Sequence, residues 1–502
     1  MVFGSMSRFR LVAFSAIVGT VLSLGFQPDH WWLAILGLAG FLRLLDHSSV
    51  RQRLIVAVVV PSVWFAFHVS WMISIGIDAW IMLVIICMLP WLLMVFCPPP
   101  LFGWRAFTFP IGFVFVIEWI HSNLPWGGFP WGVLAFSQVD GPLVGLSRLG
   151  GQELVSATVV VCAVLVRQIC ARGRRRAAIT SFALLSLLVV VLNSPKLEPS
   201  GNTRVAVIQG SVPTDSANLE TQQRRVFENH LIITAKLIND INSGEQKRPE
   251  LVLWPENATD LDPINNKDAH KQIQRVVDEL NAPLLVGGVT WQNNPYGPRN
   301  AGLLWLPKTG PTRIYAKTHL VPFGEYIPMR HLVMSRIGRL SQIPVDFVPG
   351  DTSGVFELGD YKFGDVICFE VAYQDHLQNL VNEGANFFTV QTNNATYIHR
   401  GQAQQQFTIA RFRAIEHTRS TVVASTTGIS GIIDSNGQAL SISTEGEAKY
   451  LVADIALYES KNFTDRHPNW LPRLFCLFAL GLVLFAVAPK MRVRSRPKTL
   501  PQ

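Results

Sequence analysis

The sequence predicts an α-helical transmembrane bundle of about eight helices joined to an extracytoplasmic α/β domain, and three observations carry that reading. Of 502 residues, 49% are hydrophobic and only 16% charged, an apolar excess for a soluble chain, and the apolar runs gather at the two ends. Lys and Arg fall in alternate connections between those runs. Residues 195–470 instead carry charge throughout, with short β-rich runs alternating with amphipathic helical periods.

Seven candidate spans precede residue 195: 9–25, 31–46, 54–74, 79–97, 101–120, 149–167 and 177–193, with an eighth at 471–489. Each approaches the about 20 residues that cross a hydrocarbon core, the second being short. A signal peptide is the rival for the first run, after Arg8 and Arg10, but no small-residue cleavage pattern follows it.

Orientation follows from the positive residues, which tend to remain in the cytoplasm. One set of connections holds Arg8 and Arg10, then Arg43, Arg51 and Arg53, then Arg105, then Arg167, Arg172, Arg174, Arg175 and Arg176, and finally Lys490, Arg492, Arg494, Arg496 and Lys498. The opposite set holds little more than Arg148 and Lys196. With the N-terminus inside, seven crossings deliver residues 195–470 outside and the eighth returns the tail. The expected division is a membrane domain at 1–194, an outer domain at 195–470, a final span at 471–489 and a basic cytoplasmic tail at 490–502. The net charge of +8 is then a topology signal. A nucleic-acid surface is excluded, because the basic clusters sit at helix ends without interleaved aromatics.

In the outer domain, TRVAVIQG, ELVLWPE, APLLVGGV, AGLLWLP, KFGDVICF, NFFTVQT, TVVAST and SGIIDSNG read as strands. Residues 219–241, 267–281, 371–384 and 401–420 repeat apolar residues at helical spacing. DSNG, residues 434–437, signals a hairpin in which Asn-Gly supplies positive φ.

Cys368 is the chemically provocative residue of this domain. Outside the cytoplasm thiols normally pair, yet Cys87, Cys97, Cys162, Cys170 and Cys476 all lie in or beside membrane runs. The bland reading is a small buried hydrophobe; the functional one is a nucleophile, which needs a base to take its proton. Glu256 follows an apolar strand and a proline, Lys317 ends another strand, and Glu325 lies eight residues on in a Pro/Gly-containing loop. Singly each is a solvated charge; together they supply a carboxylate, a cation and a thiol at strand ends that one α/β sheet edge can gather. A cysteine-protease dyad with His319, His376 or His417 is the weaker alternative. No C-x-x-C or H-E-x-x-H spacing occurs, so no metal and no cofactor is expected.

WPE, the KTHLVPFGEYIP run and the CFE run, in this order, resemble the Glu, Lys and Cys signatures of the nitrilase superfamily. Joined to seven preceding spans and one following, they resemble its membrane-embedded apolipoprotein N-acyltransferase family. EWIHSNLPWGGFPWGVLAFSQ (118–138), TRVAVIQGSVP and ARFRAIEHTRSTVVASTTGISGIIDSNG (410–437) extend the likeness over nearly the whole chain.

The resemblance implies a nitrilase-like αββα sandwich, with Glu256 as general base, Cys368 as nucleophile and Lys317 beside the developing oxyanion. Glu325 and Glu370 fall on supporting positions. It further implies the cytoplasmic membrane of a bacterium, with the catalytic domain on the extracytoplasmic face. The implied reaction passes an acyl chain from a phospholipid donor, via a thioester, to the α-amino group of a diacylglyceryl apolipoprotein. Membrane lipids are the surrounding partners. Glu118, Trp131 and Asn394 are candidates for lipid or substrate contact; Glu118 also reads as an interfacial carboxylate, and Trp126, Phe129 and Trp131 as ordinary interfacial aromatics. Three positions depart from the family's commoner pattern: Asn394 replaces an acid, Thr396 a tryptophan, and Gln406 stands where histidine is frequent. The competing functions are a membrane-tethered carbon-nitrogen hydrolase using the same three residues, and a non-catalytic lipoprotein-binding scaffold.

Overall fold

The computed structural model describes residues 7–46, 49–96, 102–171, 175–192, 197–212, 219–259, 261–333 and 344–474. The basic tail and all but the start of the eighth expected span lie outside the described residues, as do Cys97 and Cys476.

Seven helices occupy the places of the seven N-terminal apolar runs: α1 (Arg8–Leu24), α2 (Trp31–Leu45), α3 (Val50–His68), α4 (Ile77–Met88), α5 (Arg105–Asn123), α6 (Ser147–Ile169) and α7 (Arg175–Leu192). Among the described residues, three helical stretches are long and apolar enough to cross a membrane by length and composition: Val50–His68, Ile77–Phe96 and Val144–Ile169, with Trp31–Leu45 a shorter apolar helix. The helices also present apolar side chains outward. Phe9, Ile77, Trp119, Leu184 and Leu187 are all exposed, a surface that water would penalise and lipid would not. This is the surface of a membrane-associated protein.

The described residues of the remaining chain form twelve strands: β1 (Gly201–Gln209), β2 (Leu251–Leu253), β3 (Leu284–Asn293), β4 (Tyr296–Leu306), β5 (Gly310–Ala316), β6 (Val355–Leu358), β7 (Tyr361–Ile367), β8 (Phe387–Thr392), β9 (Thr421–Ser425), β10 (Gly431–Ile433), β11 (Ala439–Ile442) and β12 (Lys449–Leu457). Six helices accompany them: α8 (Leu219–Asn242), α9 (Lys267–Leu280), α10 (Arg330–Val333), α11 (Gln374–Asn382), α12 (Gln402–His417) and α13 (Phe463–Arg466). The strands make two six-stranded sheets, ordered β12-β1-β2-β3-β4-β5 and β11-β10-β9-β8-β7-β6.

Each sheet has a parallel centre, β1-β2-β3 in one and β7-β8-β9 in the other, flanked by antiparallel strands. Val205, Leu253 and Leu285 of the first sheet meet Phe363, Phe387 and Val422 of the second in one apolar layer. The outer face of the first sheet is covered by Phe227, Leu237, Ile273 and Val277 of α8 and α9. The second sheet is covered by α11 and α12, and that core runs without a break into Val114, Phe136 and Val160 of the N-terminal helical part. The result is an αββα sandwich whose helical layer over the second sheet is shared with the N-terminal helical bundle.

Two local expectations need correction. The run KFGDVICF reads as one strand through the cysteine, but β7 ends at Ile367, and Cys368 opens a 3₁₀ turn, Cys368–Ala372, with φ of 54°. At the 434–437 hairpin only Gly437 takes positive φ; the Asp434 N–H bonds the Gln438 carbonyl and the Asp434 carboxylate accepts the N–H groups of Asn436 and Gln438, so the turn is built on the aspartate and not on an Asn-Gly pair.

Candidate active site

Parallel strands bring their carboxyl ends to one edge, and chemistry in α/β folds collects there. Just beyond β2 the chain turns through Trp254 and Pro255 to Glu256. Beyond β5 it reaches Lys317, beyond β7 Cys368, and beyond β8 Asn393. Glu256 comes in against β3 at Gly287, where a Cβ would stand 2.0 Å from the Pro255 carbonyl oxygen. Only a glycine leaves room for that crossing.

Glu256, Lys317 and Glu325 form one buried cluster. The Lys317 ammonium lies 3.0 Å from Glu325 Oε1 and 3.4 Å from Glu256 Oε1. Asn300 in β4 ties the carboxylates together, its Nδ2 donating to Glu256 Oε1 at 2.6 Å and to Glu325 Oε1 at 2.9 Å. Glu256 Oε2 accepts the backbone N–H of Asn393 at 2.8 Å. Burial disfavours the charge on Lys317, but the carboxylates of Glu325 and Glu256 outweigh it and hold the ammonium well above its ordinary range. Burial likewise raises Glu256 above the usual carboxylate range, an effect that Lys317 moderates.

The Cys368 thiol lies in the field of the same Glu256 carboxylate and of the Lys317 charge. Burial first, and the negative charge of Glu256 second, push the thiol up to about 12. The resting cysteine is therefore a neutral thiol, not a preformed thiolate. Holding a cysteine at positive φ costs about 1–2 kcal/mol, and the turn it opens aims the sulfur off the end of β7 into this cluster.

Glu370 occupies a different place from the other carboxylates. Fully buried, its Oε1 accepts from the N–H groups of Thr318 (2.7 Å) and His319 (3.0 Å) and from the Tyr315 hydroxyl (2.9 Å), while Oε2 accepts the Ile367 N–H at 2.9 Å. It thus staples the loop after Lys317 to the turn that carries Cys368. Burial opposes its charge, but the field of His376 and these hydrogen bonds win and hold it well below the usual carboxylate range. His319, Glu370 and His376 bring ligand atoms within 4.8 Å of one another, yet donors from the protein already occupy the glutamate oxygens, which is the arrangement of a structural carboxylate.

Two family descriptions match the chain: the apolipoprotein N-acyltransferase N-terminal domain over residues 18–165 and carbon-nitrogen hydrolase over residues 204–463, more than half its length. The chain belongs to the apolipoprotein N-acyltransferase family. The apolipoprotein N-acyltransferase of Mycolicibacterium smegmatis is 31% identical over 395 residues, covering 73% of this chain and 65% of its own length, a little under two thirds. That of Haemophilus ducreyi is 24% identical over 505 residues, covering 94% and 96%. Among solved structures, a CN-hydrolase superfamily protein from Xanthomonas campestris aligns with 60% of this chain and 100% of its own, at 13% identity and a TM-score of 0.39.

In this member of the apolipoprotein N-acyltransferase family, the other candidates lie around the cluster. Trp131 stacks on Phe369, the residue after the nucleophile candidate, with centroids 6.0 Å apart, and on Phe129 at 5.9 Å. Its indole N–H donates to Gln405 Oε1 at 2.7 Å. Glu118 is buried in α5 and accepts the Leu134 N–H at 2.8 Å and the Ser156 hydroxyl at 3.0 Å, bracing the segment that carries Trp131. It also lines a cavity of ≈ 670 Å³ with Glu153, His319, Tyr373 and Asp375; Glu256, Lys317 and Cys368 are not among the lining residues. Asn394 is buried behind the sulfur, bonded to Gln402, Gln406 and Ser425.

Sequence reasoning missed Asn300, Trp71, Tyr397 and Gln405. Asn300 carried a signal, an amide inside the apolar strand β4, where burial demands a partner. Trp71, which donates to the same Gln405 oxygen at 3.0 Å and packs edge-on against Tyr397, follows α3 and carried none.

Proposed function

We propose that this chain transfers an acyl group from a membrane phospholipid to the α-amino group of the N-terminal diacylglyceryl-cysteine of an apolipoprotein, through a thioester on Cys368. The observation that supports it best is the convergence of Glu256, Lys317 and Cys368 beside an aromatic wall in which Trp71, Phe129 and Trp131, from the segments that follow α3 and α5, meet Phe369 of the sandwich.

Glu256 takes the thiol proton as sulfur attacks the ester carbonyl carbon. Negative charge then builds on the carbonyl oxygen, where the Lys317 ammonium and the backbone N–H following Cys368 are the available donors. Collapse breaks the ester C–O bond. The departing lysophospholipid alkoxide takes the proton back from Glu256 and the thioester remains. In the second half the acceptor amine attacks the thioester, Glu256 removes its surplus proton and returns it to sulfur, and an amide leaves. The sequence is ping-pong covalent catalysis, and the aromatic wall keeps water from the thioester meanwhile.

Residues 195–470 are assigned here as the catalytic domain, on the extracytoplasmic face of a multi-pass protein of the bacterial cytoplasmic membrane. The one-sided arginine pattern and the outward apolar faces of the helices favour that topology. The second reading, hydrolysis of a small amide by the same three residues, draws on the carbon-nitrogen hydrolase match.

Purified protein incubated with acyl-labelled phospholipid should acquire a hydroxylamine-labile adduct that passes to an added diacylglyceryl peptide, and Cys368→Ala should abolish both. Label released only as free fatty acid, or an adduct that persists in Cys368→Ala, would rule the proposal out.

A further inference from the structure

The sulfur of Cys368 is contacted by more than its base. Gln406, on the first turns of α12 and 2% exposed, places Nε2 3.7 Å from Sγ, and the Thr392 hydroxyl at the end of β8 lies 3.6 Å away. Which end of the Gln406 amide faces the sulfur follows from the chain of bonds behind it. The Gly428 backbone N–H, which can only donate, bonds Ser425 Oγ at 2.8 Å. The Ser425 hydroxyl, with one lone pair so engaged, donates its own proton to Asn394 Oδ1 at 2.8 Å. That assigns the Asn394 amide, whose Nδ2 donates to Gln406 Oε1 at 2.7 Å. Gln406 Oε1 also accepts the Thr392 hydroxyl at 2.9 Å, so Nε2 must turn to the sulfur.

We infer that Gln406 is a catalytic hydrogen-bond donor to the Cys368 sulfur, stabilising negative charge there as the thiol proton leaves, and that Asn394 is the positioning residue that locks its amide with the N–H outward. The inference rests on Cys368 being the nucleophile. A neutral amide N–H gains strength when its acceptor becomes an anion, so the contact favours thiolate over thiol. It offsets part of the burial that raises the cysteine. Lys317 cannot serve alone, since its ammonium is shared by Glu325 and Glu256. The Thr392 hydroxyl has one proton and, in the resting state, its nearer acceptor is Gln406. The other titratable groups facing the sulfur are Glu256, Glu325 and Tyr397, which the variants below leave in place.

The test is the pH dependence of Cys368 alkylation by iodoacetamide in the full-length protein in detergent, followed on the Cys368 peptide by mass spectrometry. Gln406→Leu should move the midpoint up by about one pH unit and slow alkylation about tenfold at a fixed pH below it. Gln406→His, whose Nδ1 can accept from Asn394 while Nε2–H faces the sulfur, should restore the wild-type profile. Asn394→Asp presents an acceptor to Gln406 Oε1 and should turn the amide over, reproducing the Gln406→Leu shift with the glutamine still present. A Gln406→Leu midpoint equal to wild type, or a shift that Gln406→His fails to reverse, overturns the inference. If wild type forms no acyl adduct from phospholipid while these midpoints shift as described, the acyl-transfer reading fails and the donor assignment stands.

Discussion

A general base works best when its proton affinity is close to that of its surroundings, and Glu256 is tuned toward that condition. Burial raises it, and the Lys317 charge opposes that rise. Because the carboxylate must be ionised to accept the thiol proton, kcat/KM should rise with pH through an acid limb lying above the ordinary glutamate value of 4.5. Glu256→Gln should lower kcat/KM by about 10²–10⁴-fold and remove that limb; a limb unchanged in Glu256→Gln would assign it to another group. Asn300 was hidden from sequence reading at this scale because its importance lies in two bonds to residues 44 and 25 positions away, and no local pattern encodes such distances.

At the level of strands, the two sheets carry a second tuned acid. Asp365 in β7 is fully buried and accepts the Thr389 hydroxyl through Oδ1. Its Oδ2 and the Gln391 Oε1 are both buried without a donor, and both crowd the Gly302 position on the opposite sheet, at 2.2 and 2.7 Å from where a Cβ would stand. Two facing acceptors call for a proton between them. Burial, the largest cause, pushes Asp365 from 3.8 to about 8, so the folded state carries the acid form. The folded protein then binds a proton that the unfolded chain releases between about pH 4 and 8. Stability should fall as pH rises across that window and level off above it. Asp365→Asn, which keeps a donor toward Gln391 without a titratable proton, should flatten the dependence of Tm on pH; an equal slope in both proteins would refute the shared proton. Gln391 also donates to the Trp254 carbonyl oxygen at 2.6 Å, so this contact links β8, the strand leading to Asn393, with β2, the one leading to Glu256. Most strands were legible as β-rich runs, but β6, β11 and β12 were not read from the sequence. Their pairing was not, because parallel partners are joined through intervening helices and register depends on packing.

On the scale of the whole molecule, the membrane helices and the sandwich meet through buried polar contacts as well as apolar packing. α6 is broken at Gly150 and Gly151, and the freed N–H groups of Gly151 and Gln152 bond Thr464 and Glu416 at 2.8 and 2.9 Å. Near the sulfur, Gln405 collects three elements: its oxygen accepts from Trp71 and Trp131, and its Nε2 donates to the His68 carbonyl at 2.8 Å. Gln405→Ala should loosen the aromatic wall without touching the sulfur. The expected result is a higher KM for long-chain phospholipid with Cys368 alkylation by iodoacetamide unchanged; a parallel fall in alkylation would place Gln405 in the thiol's own environment.

By itself the sequence determined the classes of segment and the types of reactive group. Apolar runs near membrane length, arginines on one side, alternating strands and helices, and a thiol, an ammonium and carboxylates at strand ends all follow from local composition and period. The sandwich decided what those groups are to one another. It set Cys368 at positive φ, shared Lys317 between two carboxylates, made Glu370 a staple, and set Gln406 against the sulfur with Asn394 bonded behind it. These are properties of burial and of bonds between distant residues, where excluding water changes both proton affinity and the cost of an unmade hydrogen bond.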